Sequence, residues 1–590
     1  MKHLRKALPL ALLLLAVFVM AACATTPAAT PADEPAAAET GSEAAEAPEA
    51  APAESGSKVA IFGLYQEPEL LNPLIRTQTA ANDVGGFVGE GLLGVDPEGN
   101  FFPALAAEVP STENGLISDD SLVVTYPLKE GIVWSDGEPF TCDDVVYTWE
   151  VATNPDSGSV NTTGFNEIAS IECPDDYTAV MTYSEFFGPF LSTWDFVIPR
   201  HATGDPLDMQ NWAYNRDGFI GTGPFKVQEW ISGDRIVLAK NENYRGMPDE
   251  PKLDSVIVRI IPSREVGKAL ITSGEIDFLW DLTEADVPEF EDNPNVVVNN
   301  KPGPGTERLL LNLGDPTIDA TDDPLNNPHP ILGDLRVRQA IQFGIDKQFI
   351  VDELLFGATT VGSSELNIGP YTCDIPSSPY DPDQAIALLE EAGWVDADGN
   401  GVRECDGCMY AEAGTLLRLK LQTTSGNQLR EETQQILIEM MKEIGVEFYI
   451  ENVPSAELFG SWSSGAFRKH GNFDVLMYTT SDGIDPHSQI EGYFASWKIP
   501  VEANAGEGFN YSRWVNEVAD EAISVAGSTA NTAERDAAYQ TVCEQADAEL
   551  PMIYLYDRSE IHLTRARLVG YDLSPWSTQS WNAQEWDIQE

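Results

Sequence analysis

Between residues 417 and 450 the chain changes its hydrophobic period twice. Leu417, Leu419 and Leu421 alternate with Arg418 and Lys420, the two-residue repeat of a half-buried strand. Residues 429–443 (LREETQQILIEMMKE) carry apolar positions at helical spacing, and Gly445 is placed to stop that helix. A second strand-like run, VEFYI, follows from Val446 to Ile450. The unit reads as strand, crossover helix, parallel strand, a connection that no tight turn can make. Residues 334–357 (DLRVRQAIQFGIDKQFIVDELLFG) add an apolar stripe at Val337, Ala340, Ile341 and Ile345, followed by Asp346 as the cap of a second helix. Asp381 and Pro382 cap and open another helix, ending near Gly393. Strand-like and helix-like segments alternate through most of the chain, so the fold class is α/β.

The N-terminus obeys a different logic. Lys2, Arg5 and Lys6 precede fourteen apolar or small residues, Ala7 to Met20, and MAACATT follows. The run is too short for a stable bilayer-spanning helix and has the shape of an export signal. Small residues before a cysteine resemble a bacterial lipobox, which predicts a signal peptide at residues 1–22 and lipidation of Cys23. From Ala24 to Ser57 the chain holds no aromatic or large aliphatic side chain, so residues 23–57 read as a lipidated cysteine and a disordered Ala/Pro/Glu tether.

About 530 residues remain, which is enough for two or three domains. No later apolar run approaches eighteen residues, so membrane attachment is expected through the lipid alone. The formal charge of −61 repels nucleic acid and anionic headgroups, while its plainest reading is solubility. Besides Cys23 there are six cysteines, an even number that suits disulfides in an exported chain. Cys142 and Cys173 share one segment and are expected to pair; Cys373 is expected to approach Cys405 and Cys408. With no second CxxC and no paired histidines, a zinc site is not expected.

Four stretches carry a family resemblance. They are Tyr126 to Glu150 (YPLKEGIVWSDGEPFTCDDVVYTWE), Gly221 to Trp230 (GTGPFKVQEW) with its continuation to Phe278, the helical segment at 336–357, and Asn510 to Ile523 with Leu550 to Arg558. In this order they resemble the family 5 solute-binding lipoproteins of ABC importers, which include oligopeptide- and dipeptide-binding proteins. The resemblance implies a two-lobed periplasmic-binding-protein-like fold with an extra domain inserted in the first lobe. It divides the chain into a first lobe of residues 58–95, 219–300 and 554–590, an inserted domain of 96–218, and a second lobe of 301–553. Lys301 to Thr306 (KPGPGT) suits one crossing between lobes, since glycine frees the backbone and proline limits it. It further implies an extracytoplasmic, lipid-anchored monomer that captures a peptide or other small solute and delivers it to a permease and ATPase complex, with no cofactor.

Site residues follow from the same resemblance. Peptide-binding members carry, four residues before a proline, an aspartate that pairs with the peptide's amino terminus. In Tyr478 to His487 (YTTSDGIDPH) Asp482 holds that position, Asp485 is the fallback, and His487 is the candidate ligand for a nickel chelate. Glu67, Trp280 and Asp281 fall where the family's cleft wall passes, and Trp280 could instead stack on a sugar, as in oligosaccharide-binding relatives. Asp396 to Glu404 (DADGNGVRE) resembles half a calcium loop, but Gly407 stands where a bidentate carboxylate belongs; it reads as a structural turn, like the DGDG hairpin connections of the family. HExxH, GxSxG and Walker signatures are missing, and SxxK at Ser55 to Lys58 lies in the tether. A secreted hydrolase, the rival class, would need a triad assembled from distant residues; a sensory binding protein is a second rival.

Overall fold

The strand, helix and strand at 417–450 form as read. The computed structural model describes residues 57–245, 250–320, 323–481 and 483–589; the signal segment, Cys23 and nearly all of the tether lie outside them. Ten strands make one mixed sheet: β1 (Val59–Leu64), β2 (Phe225–Ile231), β3 (Arg235–Lys240), β4 (Ser255–Ile260), β5 (Phe278–Leu279), β6 (Val296–Leu311), β7 (Arg418–Gln422), β8 (Glu447–Ile450), β9 (Val475–Ser481) and β10 (Met552–Arg565). Their spatial order is β8-β7-β9-β6-β10-β5-β1-β4-β3-β2. β7 and β8 pair in parallel, Arg418 opposite Glu447 and Leu421 opposite Ile450. The crossover helix Gln428–Glu443 starts where the Asn427 side chain accepts the Arg430 N–H at 3.1 Å, and Gly445 follows its end at φ +82°. Leu437 and Met441 of this helix share a buried cluster with Leu419, Leu421 and Phe448. Each such buried side chain contributes about 1.5–3 kcal/mol.

Two long strands tie the halves of the sheet together. β6 and β10 run antiparallel, Val296–Pro302 against residues 559–565 and Thr306–Leu310 against residues 552–557, with the register broken between Pro302 and Thr306. The break falls on Gly303, Pro304 and Gly305, and Pro304 brings no N–H to a ladder. On one side of it the buried residues of β1, β3 and β4 pack in one cluster. On the other, β6 to β10 contribute to two further clusters. Separate cores joined by two strands make the fold two-lobed.

The extra segment of the first lobe contains a three-stranded antiparallel sheet, Val123–Pro127, Thr178–Tyr183 and Ile168–Asp175, and the helix Cys142–Thr153. A reciprocal cap opens that helix, with Asp144 accepting the Thr141 N–H at 3.1 Å. A disulfide joins Cys142 to Cys173, their Cα atoms 6.0 Å apart. Tyr126, Val145 and Trp194 are buried with the first-lobe residues, so the insertion shares that core.

Cys373 departs from expectation, since it bonds to Cys543 while Cys405 bonds to Cys408. The reason is packing. Cys373 and Cys543 lie in one hydrophobic cluster with Tyr539 and Val542, whereas Cys405 belongs to another with Trp394 and Leu417. The remaining caps follow the sequence: Asp334 opens Leu335–Phe343, Asp346 opens Lys347–Phe349, and Asp381 opens Pro382–Glu391.

Candidate functional site

β9 ends at Ser481 and delivers the loop that carries three of the expected ligand residues. Asp482 lies outside the described residues. Asp485 is committed elsewhere: Arg535 donates to both its oxygens, at 2.6 and 2.8 Å, and to the hydroxyls of Tyr371 at 3.2 Å and Tyr539 at 2.7 Å. With Arg535 only 3% and Asp485 10% exposed, this is a buried, fork-like ion pair, and it takes Asp485 out of the fallback role for an ammonium. His487 begins the helix His487–Phe494 and donates its backbone N–H to Asp485 at 3.0 Å. Burial and the neighbouring Arg535 hold its imidazole below the ordinary histidine range, and Nδ1 has no hydrogen-bond partner. Its ring packs toward Tyr539, the two ring centres 6.3 Å apart.

Ile484 of the same loop faces the first lobe. With Gly483 it lines a crevice alongside Pro304, Glu365 and Trp576. A Cβ placed on Gly99, in the inserted segment, would lie 3.2 Å from Ile484 Cδ1 and 2.9 Å from Pro370. Further contacts cross between the lobes: the Ala530 N–H donates to Ser121 Oγ at 3.3 Å, and the Arg535 guanidinium lies 6.0 Å from the Phe186 ring centre.

The expected first-lobe residues separate into two groups. Glu67 accepts from Trp230 Nε1 at 2.8 Å and from the Gly233 N–H at 2.9 Å, which ties it to the β2–β3 hairpin; burial pushes its carboxyl up, and these bonds with Ser232 and Arg216 together outweigh that and hold it below the usual range. Trp280 and Asp281 follow β5. The Trp280 ring centre is 6.2 Å from that of Tyr65, its Nε1 is buried without a partner, and Asp281 pairs with Arg264 at 3.1 Å. Burial raises the Tyr65 hydroxyl above its ordinary value, so it stays neutral. No hydrogen bond, ion pair or ring contact among the described residues joins Glu67, the Trp280–Asp281 pair and the 483–487 loop.

Sequence reading missed a chamber of about 750 Å³ inside the first lobe. Its size is within the range of small-ligand pockets. Gly85, Gly86 and Gly89 of the helix Thr79–Val88 and its end present no side chains to it, and Phe101, Phe102, Trp576 and Trp581 form an aromatic wall. Ile484 is its sole second-lobe lining residue among those described. The run GGFVGEGLLG was the available signal: such a density of glycine after a helical start leaves space that something else must occupy.

Asp396, Asp398 and Glu404 bring carboxylate oxygens within 4.8 Å of one another. Asp396 spends its oxygens on the N–H groups of Gly399 at 2.8 Å, Asn400 at 3.1 Å and Gly401 at 3.0 Å, the bonding of a tight turn.

Residues 100–500 match the family described as bacterial extracellular solute-binding proteins, family 5 Middle, and the chain belongs to that family. It is similar to the oligopeptide-binding protein AppA of Bacillus subtilis, 26% identical over 524 residues, covering 87% of this chain and 89% of that protein. The solved structure of AppA from Bacillus subtilis in complex with a nonapeptide superposes with a TM-score of 0.61 at 25% identity, over 90% of this chain and 100% of that one. NikZ from Campylobacter jejuni, solved in complex with Ni(L-His), shares the fold at a TM-score of 0.64 and 24% identity, over 90% and 99% of the two chains. No helix among the described residues is long and apolar enough to cross a membrane.

Proposed function

We propose that the protein is the extracytoplasmic receptor of an ABC importer, capturing peptides between its two lobes and handing them to a membrane permease driven by a separate ATPase. The observation that carries this reading is the loop after β9, which faces the first lobe across the cleft and borders the large chamber through Ile484. Similarity to AppA over most of both chains supports a peptide as cargo. Residues 58–95, 219–300 and 554–590 form the first lobe on this reading, 96–218 the insertion and 301–553 the second lobe. The register break at Pro302–Thr306 supports a hinge there. Export by the signal at 1–22, lipidation at Cys23 and a monomeric state complete the proposal. Binding is reversible and no bond of the cargo changes; a micromolar dissociation constant corresponds to about 8 kcal/mol.

Asp482 is the proposed partner of the peptide's amino terminus, and the commitment of Asp485 to Arg535 favours it over that neighbour. Substituting Asp482→Asn should weaken a free-amine peptide about tenfold or more, while the same peptide N-acetylated is barely affected. Calorimetric titration of both peptides against both proteins measures this; equal losses for the two peptides reject the amine pairing.

A further inference from the structure

The first-lobe chamber holds polar groups whose hydrogen-bonding capacity is unspent. Arg76 lies against the helix Thr79–Val88, where a Cβ on Gly85 would collide with its guanidinium. Its one hydrogen bond among the described residues is long, Nη1 to the Leu71 carbonyl at 3.4 Å. Asp195 is brought to the same wall by the main chain: the Leu92 N–H donates to the Trp194 carbonyl at 2.8 Å, and a Cβ on Gly91 would lie 2.7 Å from Asp195 Cα. The Asp195 side chain lines the cavity, is open to solvent there, and accepts no hydrogen bond from any other described residue. The two charges sense each other, yet no ion pair joins them. Among the other lining charges, Arg245 pairs with Glu90, and Lys129 donates to the Pro103 carbonyl at 2.8 Å.

A neutral group entering this chamber would desolvate Arg76 and Asp195 and give neither a partner, which is costly. A lone anion would meet Asp195, and a lone cation would meet Arg76. A group with a carboxylate and a cation on the same residue satisfies both. Resting on the reading of the protein as a peptide receptor, we propose that the chamber takes the C-terminal residue of the cargo and selects a basic one. Its carboxylate binds Arg76, its cationic side chain binds Asp195, and its aliphatic stem lies along the aromatic wall. The chain's charge of −61 attracts such cargo from a distance.

The test is calorimetric titration of the full chain, stripped of co-purified ligand, with alanyl-alanyl-arginine, trialanine, alanyl-alanyl-glutamate, the amidated arginine peptide and free arginine. The arginine peptide should bind about tenfold tighter than trialanine and tighter still than the glutamate peptide, and amidation should cost about tenfold. In Arg76→Gln the amidation penalty should vanish, and in Asp195→Asn the preference for arginine over alanine should vanish. Gly89→Val fills the chamber without touching either charge, because a Cβ there meets nothing closer than 3.5 Å at an extended φ of −121°, and it should weaken the arginine peptide most. Equal affinities for the three C-terminal residues in the unmodified protein overturn the proposal without any variant. Free arginine matching the tripeptide would overturn the assignment to a peptide end. Loss of selectivity at the C-terminus with peptides still bound leaves the receptor standing, whereas a chain that binds no peptide and no free arginine loses both readings.

Discussion

The charges around the second-lobe loop and those at one wall of the first-lobe chamber are used in opposite ways. In the second lobe three buried charges are paired: Arg308 with Glu365 and Thr480, Arg430 with Glu307 at 2.9 Å, and Arg535 with Asp485 at 2.6 Å. Glu307 is fully buried and also accepts from Thr479, so its network closes within the protein. In the chamber of the first lobe the half-buried Arg76 and the exposed Asp195 line the space without an ion pair among the described residues. Charges that satisfy each other hold a loop in place, and charges left open are available to cargo. The second lobe presents its loop rigidly; the first supplies the unsatisfied chemistry.

The largest expected effect is on the paired side. Truncating Arg535→Ala leaves the Asp485 carboxylate buried and alone, and should cost about 3–5 kcal/mol in urea denaturation. The double change Arg535→Met with Asp485→Leu should recover most of that loss, because removing both charges removes the desolvation cost with them. If the single change is nearly neutral, the contrast between the lobes collapses. On the open side Arg76→Gln and Asp195→Asn should each shift stability by less than about 1 kcal/mol, since neither breaks an existing pair. A loss as large as that for Arg535 would mean that these groups hold the fold together.

The smallest effect is one of pH. Desolvation by the surrounding chain pushes the Asp195 carboxyl up to about 6, with Arg76 pulling the other way, while its outer face stays in solvent. A bound cation favours its ionised form and lowers that value, so cargo binds the deprotonated state. Affinity for an arginine-ended peptide should therefore hold above pH 6 and fall about tenfold per unit below it. Trialanine, which offers Asp195 no cationic side chain, should show no such fall; parallel titrations at pH 7 and pH 5 measure the difference.

Much of the second lobe could be read in advance because its signals are local. The 417–450 unit carries its own periodicity, cap and stop, and its parallel pairing follows from its connection. Asp334, Asp346 and Asp381 open helices because a side chain two or three positions before an unpaired N–H can reach it in any context. Cys373 was misjudged because nearness in sequence to Cys405 does not reveal that the two residues belong to different hydrophobic clusters. Asp485 looked available along the sequence, and only the return of the helix Thr532–Glu549 brought Arg535 onto it.

By itself the sequence determined the α/β class, the starts of several helices and the family, since these depend on patterns a few residues long and on motifs in a fixed order. The tertiary structure decided which charges are spent and which are open. Arg76, Asp195 and Trp576 come from three distant segments and meet around one cavity. Whether a charge is satisfied depends on what lies within a few ångströms, and for these residues that neighbourhood is made by chain hundreds of positions away.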